Sequence, residues 1–173
     1  MADENSDTVT TTPQPNGADT GPAIGMISQY VKDLSFENPN APACYQWQST
    51  PQVDVQFNIS STPLGDDVHE TVLKIEISSK RPEGTDFIVD LSYAGLFGVR
   101  NVPEEQVHAF MFAEAPRIIF PFARRIIADA VRDGGFAPLL LEPIDFNGLY
   151  LAQREQLAAQ TAAEGLDQPV GNA

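Results

Sequence analysis

Three runs of alternating apolar and polar residues, separated by short turns, constrain the fold of this 173-residue chain most. They cover residues 52–60, 67–79 and 86–93, and a shorter glycine-flanked run covers 95–99. A period of two residues is typical of a strand with one buried face. Turns this short join antiparallel neighbours, because parallel strands need long crossover connections. The pattern therefore predicts an antiparallel meander of about four strands.

The segment before these runs is less regular. Residues 24–36 alternate imperfectly and predict a short edge strand or an extended arm. Pro39, Pro42 and Pro51 follow, and prolines restrict both their own backbone and that of the preceding residue. We therefore expect a long, ordered loop between the first segment and the alternating runs.

After Pro103 the apolar residues recur at helical spacing. A short helix is predicted over 104–114, ended by Pro116, and a long helix then runs to Gly134, with Pro121 near its first turn. The apolar stripe of the long helix comprises Ile118, Ile119, Phe122, Ile126, Ile127, Ala130 and Val131. A last helix begins after Asp145 as its N-cap. Strands followed by helices predict an α+β fold with the helices on one face of the sheet.

Composition divides the chain into three parts. Residues 1–23 are acidic and nearly free of large apolar side chains, so they predict a disordered tail. Residues 24–164 predict one folded domain, and residues 165–173 a flexible C-terminal tail. The outward positions of the sheet include Val68, Val72, Ile88 and Ala94. A partly apolar outer face with two open edges favours an oligomer.

The charge balance excludes several classes of partner. The chain has 24 acidic against 10 basic residues, a net charge of −14. Such a surface repels nucleic acid and anionic membranes, and it favours encounter with basic partners. The sequence contains one cysteine, no signal-peptide pattern and no run of 18 apolar residues. These features predict a cytoplasmic protein.

The sequence offers little that resembles catalytic chemistry. It has no Walker A loop, no dinucleotide fingerprint and no GxSxG motif. His69 and His108 are isolated, the adjacent pair Asp66 and Asp67 follows a turn glycine, and Cys44 has no basic neighbour. We expect no enzyme, cofactor or metal site. A concealed carboxylate or Cys–His enzyme remains the more distant alternative.

Aromatic residues in connecting segments are the clearest functional signal among the residues themselves. They are Phe36, Tyr45 and Trp47 around the proline-rich loop, and Phe120, Phe122 and Phe136 around the long helix. Aromatics in such segments either anchor a loop or line a groove for apolar side chains. A groove of this kind accepts apolar side chains without requiring a particular sequence, and a small-molecule or lipid-binding domain could use the same groove.

Several of these segments together resemble the SecB family of bacterial export chaperones. The first is KDLSFENPNAP, residues 32–42, followed by LGDDVHETVLKIEI and AGLFGV. The helical part contributes APRIIFPFARRIIADAVRDGGFAPLLLEPIDFNGLYLAQ. The resemblance covers about residues 26–153, and its motifs are specific in combination.

The resemblance implies a homotetramer, a dimer of dimers, that binds unfolded precursor proteins without ATP in the cytoplasm and delivers them to SecA. It also implies a docking surface for the zinc-bearing C-terminal tail of SecA. The matching positions are Asp33, Glu37, Ile88 and Asp90. Ile88 and Asp90 stand where the family usually has Leu and Glu. The apolar and acidic characters are kept, but the carboxylate of Asp90 reaches less far than that of Glu. The family's tryptophan usually lies nearer the proline matched by Pro51 than Trp47 does.

Overall fold

The computed structural model describes residues 21–65 and 67–166. Its elements are β1 (Ala23–Glu37), β2 (Gln52–Gly65), β3 (Val68–Arg81), β4 (Gly84–Arg100), α1 (Glu104–Ala109), α2 (Ala115–Asp133) and α3 (Phe146–Leu166). All strand pairs are antiparallel, and the helices follow the sheet in the chain. The predicted α+β class is confirmed.

The order of the strands differs from a simple meander. The sheet runs β1-β4-β3-β2, so β2, β3 and β4 form consecutive hairpins while β1 crosses to the far edge beside β4. The runs 86–93 and 95–99 were predicted as two strands, yet both belong to β4. Gly95, which begins the second run, is not a turn residue. A Cβ there would lie 2.8 Å from the Phe97 ring and 3.1 Å from Ile119, so the glycine permits close packing of α2.

Strand β1 is longer than the short strand or arm that its sequence predicts. It spans 15 residues and pairs with β4 from Ala23 opposite Arg100 to Glu37 opposite Ile88. The register shifts once between Met26 and Ser28 and again between Val31 and Asp33. Each bulge moves the side-chain alternation by one residue, which explains why this strand reads as irregular in the sequence.

The core lies between α2 and the face of the sheet turned toward it, called here the inner face. The buried core includes Leu73, Ile75, Ile77, Val89, Leu91, Phe97, Ile119, Ala123, Ile127 and Val131. The helix cover stops short of the β2 edge. Val53, Val55 and Phe57 lie on the inner face but are between 37% and 41% exposed.

The helices differ from the prediction at two prolines. A π-helical turn over Phe110–Glu114 joins α1 to α2 without a break, so Pro116, the second residue of α2, does not end the helix as predicted. Pro121 lies inside α2 rather than near its first turn. The predicted N-cap of α3 is confirmed, because the Gly148 amide donates to Asp145 Oδ1 at 2.9 Å.

The predicted tails fall almost wholly outside the described residues. Residues 1–20 and 167–173 are not described, so disorder of residues 1–23 and 165–173 stays a prediction. Within the described part, β1 already begins at Ala23 and α3 reaches Leu166. No helix of that part is long and apolar enough to cross a membrane.

Candidate functional site

The face of the sheet turned away from the helices, the outer face, brings the predicted docking residues together. In the β1–β4 register, Asp33 lies opposite Ser92, and Glu37 opposite Ile88. Ser35 lies opposite Asp90, between the two β1 acids. Residues paired across antiparallel strands share a face. The two strands therefore form one patch of Asp33, Glu37, Ile88 and Asp90.

Neighbouring strands extend the negative charge of this patch. Lys74 Nζ lies 2.7 Å from Glu76 Oε1 and 3.3 Å from Asp90 Oδ2. The hydrogen bond from Lys74 lowers the pKa of Glu76 below its ordinary value. Glu76, Asp90, Ile88 and Asp54 line one shallow depression. The outer face thus combines several carboxylates with the 36% exposed side chain of Ile88.

A cluster of four aromatic rings holds the loop between β1 and β2 against the end of α2. The ring of Phe36 lies 6.0 Å from that of Phe87, and Phe136 lies 5.0 Å from Phe87 and 5.4 Å from Tyr45. Tyr45 Oη also donates a hydrogen bond of 2.8 Å to the carbonyl of Gly134. The loop is therefore ordered, as predicted, and its aromatic residues act as anchors as well as surface.

Trp47 lies apart from this ring cluster. Its indole rests against Gly84 in the turn between β3 and β4, where a Cβ would lie 3.0 Å from Trp47 Cη2. Gly84 has a φ of 156°, a conformation that favours glycine. Arg81 Nη1 donates to the carbonyls of Trp47 at 3.0 Å and Ser49 at 2.7 Å. The loop is thus fixed at both of its ends.

A cleft of about 310 Å³ opens on the inner face between β2 and α3. Phe57 and Phe120 both contact Phe146, with ring centroids 6.2 Å and 5.7 Å apart. Phe112 and Tyr150 complete much of the aromatic lining. The cleft is open to solvent rather than enclosed, which disfavours the closed cavity expected of a small-molecule or lipid carrier.

Neither Phe120 nor Phe122 is among the residues that line this cleft. Phe120 is buried, whereas Phe122 is 39% exposed on another side of α2, because two residues of a helix turn through about 200°. The five aromatic candidates therefore occupy four separate places. Phe36 and Tyr45 belong to the same ring cluster, whereas Trp47, Phe120 and Phe122 each lie elsewhere. The sequence interpretation missed Phe57, Phe112 and Phe146 as cleft residues. The alternation of β2 contained a signal for Phe57, since an edge strand leaves part of its apolar face uncovered.

Within the part of the chain that the structure describes, the isolated polar candidates do not combine into a reactive site. Asp66 of the candidate acidic pair lies outside the described residues. His108 Nδ1 lies 2.9 Å from Tyr150 Oη, and its ring stacks on Phe112. Cys44 is buried, with its Sγ 3.4 Å from Asn38 Oδ1. Among residues 21–65 and 67–166, no three His, Cys, Asp or Glu side chains form a group suited to a metal ion.

These features define a class of protein. An open aromatic cleft and an uncovered apolar strand on one face, with an acidic face opposite, suit a protein that binds other polypeptides through broad surfaces.

Comparison with known proteins gives the family. The model of the family described as preprotein translocase subunit SecB matches residues 17–157. The protein-export protein SecB of Sphingopyxis alaskensis is 63% identical over 174 residues, covering 100% of both chains. That of Novosphingobium aromaticivorans is also 63% identical, covering 93% of this chain and 91% of the relative. The chain belongs to the SecB family, and its role is that of a chaperone in protein export.

A solved structure has the same fold at low sequence identity. It is the SecB-like chaperone Rv1957 of Mycobacterium tuberculosis, in complex with a ChAD peptide from the HigA1 antitoxin. The TM-score is 0.59 at 16% identity, over 70% of this chain and 90% of that one.

Proposed function

We propose that the protein holds unfolded precursor polypeptides on its inner face and docks the zinc-bearing C-terminal tail of SecA on its outer face. The observation that carries this proposal is the opposite orientation of adjacent β4 residues. Val89 is fully buried in the core that α2 covers, whereas Ile88 and Asp90 alternate with it along the strand and therefore face the outer side. One strand thus separates two surfaces, so a client and SecA bind at the same time.

Client binding rests on the exposed apolar residues of β2 and the aromatic cleft. Each large apolar side chain that a client buries contributes about 1.5–3 kcal/mol. Ordering a flexible client offsets much of this gain, so each contact is weak. A client that spans several subunits binds more tightly by effective concentration, and no ATP is required. The peptide bound to the Mycobacterium tuberculosis relative supports polypeptide as the class of ligand.

Assembly follows from apolar surface that a single chain leaves uncovered. Met26, Val31 and Leu34 of β1 are each more than 40% exposed, and Phe122 lies exposed on α2. Packing between copies removes such surface from water. We therefore propose a homotetramer, a dimer of dimers, that acts in the cytoplasm and performs no catalytic step.

Dilution of a denatured precursor into the purified protein tests the proposal. We expect delayed folding of the precursor in a stable complex of tetramer mass, without added nucleotide. A monomer that leaves precursor folding unchanged would contradict it. Adding the SecA tail with zinc to the complex should give a ternary species rather than release of the client.

A further inference from the structure

One irregular helical turn lies beside the aromatic cleft between β2 and α3. Over Phe110–Glu114 the backbone is π-helical, and the Ala115 amide donates to the carbonyl of Phe110. Single π-helical turns inside α-helices are rare, and they occur frequently at functional sites. This turn carries Phe112, which lines the cleft. The hydrogen bonds that hold the turn therefore bear on the shape of the cleft.

The π-helical turn deprives the carbonyl of Met111 of both its helical donors. In an α-helix the donor would be the Ala115 amide, which bonds to Phe110 instead. In a π-helix it would be the residue one position later, which is Pro116 and has no N–H. Met111 is only 1% exposed, and a buried carbonyl without a partner is costly. The turn thus requires a donor from another part of the fold.

Thr71 of β3 supplies this donor from the centre of the sheet. Its Oγ1 donates to the Met111 carbonyl at 3.2 Å and lies 3.5 Å from Met111 Sδ. The next inner-face positions of the strand hold Leu73 and Ile75, both in the apolar core, so a hydroxyl at Thr71 departs from the pattern. Thr71 is fully buried. Its hydroxyl is therefore matched to the one carbonyl that the turn releases.

The same turn connects this hydrogen bond to two rings of the cleft. Phe112 follows Met111 directly, and its ring stacks on that of His108 with centroids 4.6 Å apart. His108 Nδ1 lies 2.9 Å from Tyr150 Oη. Phe112 and Tyr150 both line the cleft. A movement of the turn would consequently displace both rings.

We propose that Thr71 is a positioning residue for client binding. By holding the π-helical turn through the Met111 carbonyl, it fixes the ring of Phe112 where an apolar client side chain packs in the cleft. Thr71 itself does not touch the client. Without the hydroxyl the buried carbonyl loses its partner, and the turn shifts to recover one. This inference rests on the proposed client-binding function.

Fluorescence anisotropy with a labelled apolar peptide centred on phenylalanine tests the inference on the full-length protein. Thr71→Val keeps the size of the side chain and removes the donor. Its affinity for the peptide should fall at least about fivefold, because burial of the peptide's apolar side chain depends on the position of Phe112. Thr71→Ser retains a hydroxyl and should bind the peptide within about twofold of the wild-type protein.

The variant Glu70→Gln separates positioning from stability. Glu70 precedes Thr71 in β3 but faces the outer side of the sheet, where it bonds to Tyr30. Its replacement should lower the Tm while peptide affinity stays within about twofold of the wild-type value. If Thr71→Val does not fold, Thr71→Cys takes its place, because a thiol is a weak donor of similar size.

A double-mutant cycle tests whether Thr71 acts through Phe112. Phe112→Leu keeps an apolar side chain in the cleft and should weaken peptide binding directly. Adding Thr71→Val to Phe112→Leu should then weaken binding much less than Thr71→Val does in the wild-type protein, since coupled residues are not additive.

Three results would overturn the inference alone. Wild-type affinity in folded Thr71→Val means that the hydrogen bond is purely structural. An equal loss of affinity in Glu70→Gln means that affinity merely follows stability. Full additivity with Phe112→Leu means that Thr71 does not act through that ring. If the wild-type protein does not bind the peptide, the proposed client-binding function fails together with the inference.

Discussion

Tyr30 and Glu70 are hydrogen bonded across the outer face of the sheet, with Oη 2.5 Å from Oε1, although β4 lies between their strands. Lys32 Nζ lies 2.6 Å from the other carboxylate oxygen. Ala94 of β4 lies opposite Tyr30, and its small side chain leaves room for this contact. The three residues therefore tie edge strand β1, which carries Asp33, to the centre of the sheet.

Removing the Glu70 charge should destabilise the fold in a pH-dependent way. The hydrogen bond from Lys32, and then that from Tyr30, lowers the pKa of Glu70 below its ordinary value of 4.5. A carboxylate with a lowered pKa stabilises the fold fully above the unfolded pKa, and this contribution is lost as pH falls through the folded pKa. Glu70→Gln should therefore lower the free energy of unfolding at pH 7 by about 1.5–3 kcal/mol.

Urea unfolding at several pH values checks this expectation. The difference between Glu70→Gln and the wild-type protein should shrink as pH falls below the ordinary value of 4.5. Glu76→Gln is the matched control, because Glu76 pairs with Lys74 in solvent and an exposed pair contributes only about 0–1 kcal/mol. A Glu70→Gln effect that stays constant with pH would contradict the charge-based account.

Gly134→Ala should loosen the anchor of the β1–β2 loop. A Cβ at Gly134 would overlap the ring of Phe36, which must then move away from Phe87. Overpacking of this kind costs about 1–3 kcal/mol. Gly25→Ala is the control, since nothing lies within 4 Å of a Cβ there. Thermal unfolding should show a lower Tm for Gly134→Ala and no loss for Gly25→Ala, and equal effects would rule out the ring contact as the cause.

Docking of the SecA tail should depend on the outer face alone. Asp33→Ala or Asp90→Ala should weaken binding of the zinc-loaded tail at least severalfold, while affinity for an unfolded precursor stays unchanged. Titration calorimetry with each ligand measures both affinities on the same preparation. Loss of both affinities together would mean that these acids serve folding or assembly instead of docking.

Salt should reduce client affinity only in part. Long-range attraction between a basic client and a chain of net charge −14 is screened as ionic strength rises. Burial of apolar side chains is not screened, so affinity should fall and then level off. Fluorescence anisotropy with an unfolded basic client from 0.05 to 1 M salt measures the curve. An affinity that does not change with salt would refute the electrostatic contribution.

The outer patch shows how local pattern predicts which residues share a face of the sheet. Ile88 and Asp90 are two residues apart in a regular strand, so alternation alone puts them on one face. The sequence spacing of β1 does not predict that Asp33 and Glu37 lie beside Ile88 and Asp90, because the two bulges of β1 change its register with β4. The resemblance to a known family supplied that association before the structure did.

The sequence by itself determined the α+β class, the faces of β3 and β4 and the N-cap at Asp145, because these depend on residues close together in the chain. Tertiary structure alone decided that β1 completes the sheet beside β4 and that Phe57 meets Phe146 in an open cleft. It also decided that a bulge turns Asp86 inward. Contacts between distant segments depend on pairing and packing energies that no local periodicity encodes.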